Sequence, residues 1–165
     1  MNVLSLFDGM SCGQLALQRA GVKYDNYFAS EIKPIAIKVT QHNFPDTIQL
    51  GDVKNINLKE LPKIDLLIGG SPCQDFSILK TQGKGLDGDK SKLFYEYLRI
   101  LKELKPKYFL LENVRMKKES EQELNEYLGV KGIHINSELV SYQKRPRIYW
   151  TNIPNVNVPE DRNIN

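Results

Sequence analysis

A cysteine in the middle of the chain has the surroundings of a reactive thiol. A short apolar run at residues 64–68 is followed by Gly69-Gly70-Ser71-Pro72-Cys73-Gln74. The glycines allow a sharp turn or close approach to a ligand, and the proline stiffens the next step, which predicts Cys73 on a rigid loop. Such a thiol is a candidate for covalent catalysis, because thiolate is a strong nucleophile. The alternative is a small buried hydrophobic residue, and the polar residues at 74 and 75 argue against it.

Glycines and acids near the amino terminus indicate a nucleoside site. The loop from Gly9 to Gly13 follows an apolar run. In nucleotide-binding folds an acid ~20 residues after such a loop binds the ribose hydroxyls, and Glu31 lies close to that position. The loop has the pattern Gly-x-x-x-Gly rather than the Gly-x-Gly-x-x-Gly that binds a pyrophosphate. This favours a cofactor without bridging phosphates, and S-adenosylmethionine fits. Asp52 could accept the exocyclic amine of an adenine; the alternative is turn glycines and solvated loop acids.

Alternating apolar segments must position these residues. We predict strands at residues 2–7, 24–30, 47–50, 64–68, 108–111, 132–140 and 147–151, and helices at 14–20, 35–43, after Ser91, and at 119–128. This order predicts an α/β fold with a doubly wound, mostly parallel Rossmann-like sheet and an antiparallel hairpin at one edge. Ligands bind at the carboxyl ends of the strands in such sheets. Residues 1–153 form one predicted domain, and residues 154–165 an irregular tail.

The composition limits the classes of protein to consider. The 165 residues are 41% hydrophobic, which suits one globular domain. No stretch approaches the ~20 apolar residues of a membrane span, and the amino terminus lacks a secretory pattern. Cys12, predicted to pack internally, and Cys73 make neither a disulfide framework nor a metal cluster, so a reducing cytoplasm is expected. A net charge of +3 is compatible with a polyanionic partner but identifies none.

Four segments carry a family resemblance. They are Phe7-Asp8-Gly9-Met10-Ser11-Cys12-Gly13, Gly70-Ser71-Pro72-Cys73-Gln74, Glu112-Asn113-Val114 and Gln143-Lys144-Arg145-Pro146-Arg147. Together, and in this order, they resemble the cytosine carbon-5 DNA methyltransferases, most closely the short phage and bacterial type. The resemblance extends from Val3 to about Ile153 and implies the fold of S-adenosylmethionine-dependent methyltransferases.

The resemblance implies a role for each matched residue. Cys73 would add to carbon-6 of a cytosine swung out of the DNA stack, Glu112 would hold the ring at its N3 and exocyclic amine, and Arg145 would assist at the carbonyl oxygen and the phosphate backbone. The implied substrate contacts are Gln74, Ser77, Asn113, Gln143 and Arg147. Phe7 would stack on the adenine of the cofactor. The other implied cofactor contacts are Asp8, Gly9, Gly13, Glu31, Asp52, Val53, Ser71 and Pro72.

Members of this family usually continue into a target-recognition region and a returning segment. Neither is recognisable in the 165 residues. We therefore expect half of a split enzyme completed by a second polypeptide, a truncated gene product, or a binding module without catalysis that takes the cofactor or a nucleic acid. An RNA cytosine methyltransferase is a further alternative. The expected partner is DNA, in the bacterial or phage-infected cytoplasm, with a role in restriction-modification or phage DNA modification, and neither a metal nor a membrane is expected.

Overall fold

A computed structural model describes the fold of residues 1–70 and 91–164. The strands of this described part form one sheet, in the order β3 (Ile48–Gln49), β2 (Asn26–Ser30), β1 (Asn2–Leu6), β4 (Leu66–Gly69), β5 (Tyr108–Val114), β7 (Pro146–Thr151) and β6 (Ile133–Asn136). The first five run parallel, whereas β7 runs antiparallel to β5 and β6 antiparallel to β7. This confirms the predicted α/β class, the mostly parallel sheet and the antiparallel hairpin at its edge.

The elements follow the predicted alternation closely. The helices are α1 (Cys12–Arg19), α2 (Pro34–Asn43), α3 (Ser91–Leu104) and α4 (Lys118–Leu128), and single 3-10 turns cover Val53–Asn55, Leu58–Glu60 and Ser137–Leu139. None of the described helices is long and apolar enough to cross a membrane.

The register of the central strands aligns their carboxyl ends. Leu6, the last residue of β1, pairs with Ser30 at the end of β2 and with Gly69 at the end of β4. Leu4 and Leu67 are fully buried because helices cover both faces of these central strands. The loops that follow β1, β2 and β4 therefore leave the sheet at one edge.

Helix packing divides the core into two clusters. The larger one packs α3 and α4 on one face of the sheet, and Phe94, Tyr97 and Leu98 bury the predicted apolar side of α3 there. The smaller cluster lies around Val3 and Tyr27, and Leu17 of α1 packs against it. Burial of each such side chain contributes about 1.5–3 kcal/mol.

Two predicted boundaries are wrong, and both errors lie around the hairpin. β5 does not end at Leu111, because pairing with β7 continues it through Val114. The predicted strand at residues 132–140 ends at Asn136, whose side-chain oxygen accepts hydrogen bonds from the backbone of Glu138 and Arg145. That side chain caps the 3-10 turn that follows and so ends the strand.

One side chain fixes the hairpin to the rest of the domain. Oδ1 of Asn125, in α4, accepts hydrogen bonds from the indole Nε1 of Trp150 at 2.7 Å and from the backbone N–H of Gly132 at 3.0 Å. Residues 152–164 contain neither helix nor strand. The backbone N–H of Arg162 nevertheless donates to the carbonyl oxygen of Leu139, so this segment returns to the hairpin.

Candidate active site

A cavity of about 780 Å³ lies where the loops leave β1 and β2. This volume is within the range of about 300–1,000 Å³ typical of small-molecule sites. Its walls are mostly apolar, and Glu31 and Asp52 are among the acidic residues that line it; the apolar contributors are Phe7, Met10, Ile32, Ile35, Ala36, Val39, Val53 and Leu93. All but one of the predicted cofactor contacts that the structure describes line this cavity: Phe7, Asp8, Gly9, Glu31, Asp52 and Val53. The exception is Gly13.

Hydrogen bonds of its own side chains fix the conformation of the loop after β1. Phe7, Gly9 and Ser11 all have positive φ angles, at 57°, 62° and 59°. Oδ1 of Asp8 accepts a hydrogen bond from the Tyr27 hydroxyl at 2.9 Å, and its Oδ2 accepts one from the Ser11 hydroxyl. Burial and the charge of Asp8 raise the pKa of Tyr27, which keeps this phenol a donor. Asp8 thus fixes the loop, because both of its carboxylate oxygens accept hydrogen bonds from neighbouring hydroxyl groups.

Two residues of α1 differ from their predicted roles. A Cβ on Gly13 would lie 2.7 Å from Cδ1 of Ile68 and 2.8 Å from the Tyr27 hydroxyl, so this glycine lets α1 approach the sheet closely. Cys12 was predicted to pack internally, and this is wrong: it is exposed and lines the cavity. The residue that α1 buries instead is Gln14, whose Nε2 donates to Thr47 at 2.7 Å.

Glu31 joins the loops that follow β1 and β2. Its Oε2 accepts a hydrogen bond from the backbone N–H of Gly9 at 2.8 Å, and its Oε1 accepts from Ile32 and Lys33 at 2.8 and 2.9 Å. A carboxylate has about four lone-pair positions. Three are filled by backbone donors, which leaves roughly one for a hydroxyl in the cavity.

The turn after β3 supplies the far wall of the cavity. Oδ1 of Asp52 accepts a hydrogen bond from the backbone N–H of Lys54 at 3.0 Å and so caps the 3-10 turn. The Ser30 hydroxyl donates to the carbonyl oxygen of Gly51 at 2.8 Å, which holds this turn against the end of β2. Val53 is only 3% exposed and presents an apolar surface beside Asp52. An acid next to a flat apolar wall suits the edge and face of a purine ring.

A second group of polar side chains lies beside the cavity, at the junction of β4 and β5. Oε1 of Glu112 is 2.6 Å from Nε of Arg147, and these side chains are 29% and 17% exposed. A Cβ on Gly70, immediately after β4, would be 3.1 Å from Oε2 of Glu112. Gly70 also lines the cavity, so it lies between the cavity and the Glu112 carboxylate.

Tyr149 belongs to this second group and was missed from the sequence. It pairs directly with Glu112 across the β5–β7 ladder, which places both side chains on one face of the sheet. Burial, and next the charge of Glu112, raise the pKa of Tyr149, whereas Arg145 and Arg147 act in the opposite direction. Both arginines of the predicted motif therefore act on Tyr149, and the described ion pair with Glu112 is made by Arg147.

The other predicted substrate contacts differ in accessibility. Arg145 and Gln143 are exposed in the turn before β7. Asn113 is 1% exposed on the opposite face of β5 from Glu112, and its Oδ1 accepts a hydrogen bond from the backbone N–H of Val114. Its predicted contact with a substrate stays a prediction, and its burial favours a role in shaping the strand.

Five of the predicted site residues lie outside the described residues. They are Ser71, Pro72, Cys73, Gln74 and Ser77. The structure describes the positions on either side, and both Gly70 and Leu93 line the cavity. Gly70, the last described residue before Ser71, lies next to Glu112.

Solved structures of methyltransferases have the same fold. A DNA modification methyltransferase encoded within an Escherichia coli prophage is 28% identical, with a TM-score of 0.73 over 92% of this chain and 46% of that one. Dnmt2 of Schizosaccharomyces pombe, at 21% identity and a TM-score of 0.70, covers 92% of this chain and 48% of its own and shows the fold alone. The fold is therefore that of S-adenosylmethionine-dependent methyltransferases, as predicted.

Curated relatives match the chain over a fraction of their own length. The orphan methyltransferase M.Rho11sI of Bacillus phage rho11s is 43% identical over 117 residues, which are 70% of this chain and 23% of that protein. The type II methyltransferase M.NgoBV of Neisseria gonorrhoeae is 34% identical over 172 aligned positions, 90% of this chain and 40% of that protein. Residues 1–162 match the family described as C-5 cytosine-specific DNA methylase. The chain belongs to this family, as its four sequence segments predicted.

Proposed function

We propose that the chain is the cofactor-binding and catalytic part of an enzyme that methylates carbon-5 of cytosine in DNA. The observation that carries the proposal is the position of Gly70, which lines the cavity and lies against the Glu112 carboxylate. A nucleoside cavity and a fixed acid thus meet at the residue that begins the Gly-Ser-Pro-Cys segment. Family membership of the chain supports the same reading.

The cavity has the features that S-adenosylmethionine requires. Phe7 and Val53 offer apolar surfaces for the adenine, Asp52 an acceptor for its exocyclic amine, and Glu31 one remaining acceptor position for a ribose hydroxyl. When bound there, S-adenosylmethionine supplies an activated methyl group on its sulfonium. The residues that would hold it come from the loops after β1, β2 and β3.

The chain would prepare the cytosine for methylation with its own side chains. The Cys73 thiolate forms a bond to carbon-6, and the electron pair of the carbon-5–carbon-6 double bond moves toward carbon-5 and the ring nitrogen N3. Glu112 accepts a hydrogen bond from the exocyclic amine and, when protonated, donates one to N3, which stabilises this charge. After methylation, a water molecule takes the carbon-5 proton, the double bond re-forms as the carbon-6–sulfur bond breaks, and the electron pair of that bond leaves with the thiolate; any proton given to N3 returns to Glu112. The base must leave the duplex first, since carbon-6 is inaccessible within the stack.

Arg147 has a defined part in this scheme. Its Nε is 2.6 Å from Oε1 of Glu112, so it fixes the orientation of the carboxylate before the base arrives. We assign this positioning to Arg147, and we keep contact with a phosphate or with the base carbonyl oxygen for the exposed Arg145.

The remainder of the enzyme is also a proposal. The chain spans 23% of the Bacillus phage relative and 40% of the Neisseria relative. We propose that target recognition resides in segments equivalent to the rest of those proteins, supplied by a second polypeptide or by further chain, and that the bacterial or phage-infected cytoplasm is the compartment.

The proposal is tested by covalent trapping. The chain is incubated with S-adenosylmethionine and a DNA duplex carrying 5-fluorocytosine, with and without a polypeptide equivalent to the missing part of the M.NgoBV relative. We expect a denaturation-resistant protein–DNA adduct, because fluorine cannot leave as the carbon-5 proton does. Cys73→Ser should form none, whereas Cys12→Ser, the matched control, should retain the adduct.

Three outcomes contradict parts of the proposal. An adduct with Cys73→Ser would exclude Cys73 as the nucleophile. Binding of S-adenosylmethionine in calorimetry, without adduct under either condition, would favour the binding module. Transfer of labelled methyl groups to RNA in preference to DNA would identify the substrate as RNA.

A further inference from the structure

The turn that leads into β7 presents an aromatic ring to solvent. Tyr142 is 80% exposed, the highest value among the large hydrophobic side chains in the described residues. Single exposed apolar residues are common on protein surfaces. Tyr142 is distinguished from these by the rigidity of its turn, by its charged neighbours and by its place in the fold.

Hydrogen bonds hold the turn on both sides of this ring. The Ser141 hydroxyl donates to the carbonyl oxygen of Ser137 at 2.9 Å and accepts from the backbone N–H of Gln143 at 3.3 Å. The backbone N–H of Arg145 donates to Oδ1 of Asn136 at 2.9 Å. The ring is thus displayed from an ordered backbone, so that little conformational freedom remains to be lost when a ligand binds.

Within the turn itself, residues 141–146, the charged side chains are cationic; Glu138 precedes the turn, and its carboxylate accepts a hydrogen bond from the side chain of Asn136. Lys144 and Arg145 are both exposed, and no acidic residue occurs between Val140 and Arg147. An exposed aromatic ring beside lysine and arginine is the combination that binds nucleic-acid strands, because the ring stacks on bases while the cations pair with phosphates.

The topology brings this turn to the catalytic edge of the sheet. β7 runs antiparallel to β5 and begins opposite its end, where Arg147 pairs with Val114. The turn at residues 140–145 therefore lies at the carboxyl ends of the parallel strands, on the side of Glu112. Lys131, which is also exposed, precedes β6 and lies at the opposite end of the hairpin.

We propose that residues 140–145 form a DNA contact in which the ring of Tyr142 packs on a base or deoxyribose next to the target cytosine. Lys144 pairs with a neighbouring phosphate in the same contact. The inference rests on the proposed function and extends it by naming Tyr142, which lies outside the family segment at residues 143–147, as a residue that positions the DNA. Stacking of one base on an aromatic side chain corresponds to roughly a 10- to 100-fold change in affinity.

The test measures DNA binding by the chain itself. The probe is a fluorescein-labelled DNA duplex with one unpaired cytosine, and its dissociation constant is measured by anisotropy at several salt concentrations. We expect Tyr142→Ala to weaken binding about 10- to 100-fold with an unchanged salt slope, and Tyr142→Phe to bind like the parent. Lys144→Ala should reduce the slope of log affinity against log salt concentration by about 1, which corresponds to one phosphate contact. The matched control Lys131→Ala should leave this slope unchanged.

Several results would overturn the inference. The first is equal affinity of Tyr142→Ala and the parent for the duplex. The second is a loss of affinity in Tyr142→Ala that comes with a lower melting temperature, when Tyr142→Phe has the same low melting temperature. The third is a parent chain that binds no duplex at low salt. Failure of the proposed function would look different. Binding that depends on Tyr142, without a covalent adduct in the trapping experiment, would leave this surface standing and remove the catalysis.

Discussion

Replacing Glu31 with glutamine removes the charge of the side chain but keeps its size. The carboxylate accepts from Ile32 and Lys33 close by, and from the backbone N–H of Gly9 across the loops. A glutamine has one oxygen acceptor, so if that oxygen serves Ile32 and Lys33, its amide group faces the N–H of Gly9 as a second donor. The part-buried bond to Gly9 is then lost.

The size of the effect follows from that single bond. The bonds to Ile32 and Lys33 are exposed, and water can replace them. A hydrogen bond to a charged group contributes about 1.5–3 kcal/mol. For a domain of this size each kcal/mol corresponds to about 2–4 °C, so we expect the melting temperature of Glu31→Gln to fall by roughly 3–12 °C.

Two measurements check this prediction. Thermal unfolding is followed by circular dichroism, with Glu60→Gln as control, because Glu60 accepts from one exposed side chain, that of Asn57. Calorimetry with S-adenosylmethionine should show about 10-fold or greater loss of affinity in Glu31→Gln alone. A melting temperature equal to that of the parent would refute the role of Glu31 between the loops. A lower melting temperature with unchanged affinity would refute the contact with the ribose.

Two other substitutions test the packing of α1 against the sheet and the ion pair of Glu112 with Arg147. Gly13→Ala should lower the free energy of unfolding by about 1–3 kcal/mol in urea titrations, since the added Cβ would lie 2.7 Å from Cδ1 of Ile68; the exposed neighbour Cys12→Ala should have no effect, and equal stability of both variants would contradict the close approach. Arg147→Ala should destabilise by about 1.5–3 kcal/mol and slow adduct formation, because Glu112 loses its ion pair. Arg147→Lys should restore more of the lost stability than of the lost rate of adduct formation. An unchanged rate of adduct formation in Arg147→Ala would contradict the positioning role of Arg147.

The sequence predicted the parts of the fold that depend on local pattern. Apolar runs and the glycine and proline positions around them located α1, α2 and the parallel strands to within a few residues. The extension of β5 to Val114 was not predictable in this way, because pairing with β7 produces it. Local sequence contains no information on how far a partner strand continues.

In the candidate site, likewise, residues at strand ends were predictable from the sequence, and contacts that depend on strand pairing were not. Glu31 and Asp52 line the cavity as their strand-end positions predicted. The ion pair of Arg147 with Glu112 was not predicted, because it depends on the register in which β7 pairs with β5. Tyr149 was missed for the same reason, because only the ladder places it opposite Glu112.

The reversed direction of β7 has a consequence for how such a protein can change. A parallel strand brings only its last residues to the reactive edge and needs a long crossover before the chain can return. β7 instead brings its first residues there, directly after the turn at 140–145. An insertion into that turn would therefore extend from the edge of the sheet where Glu112 and Gly70 lie, and it would leave the pairing of the strands unchanged, because the turn lies outside them.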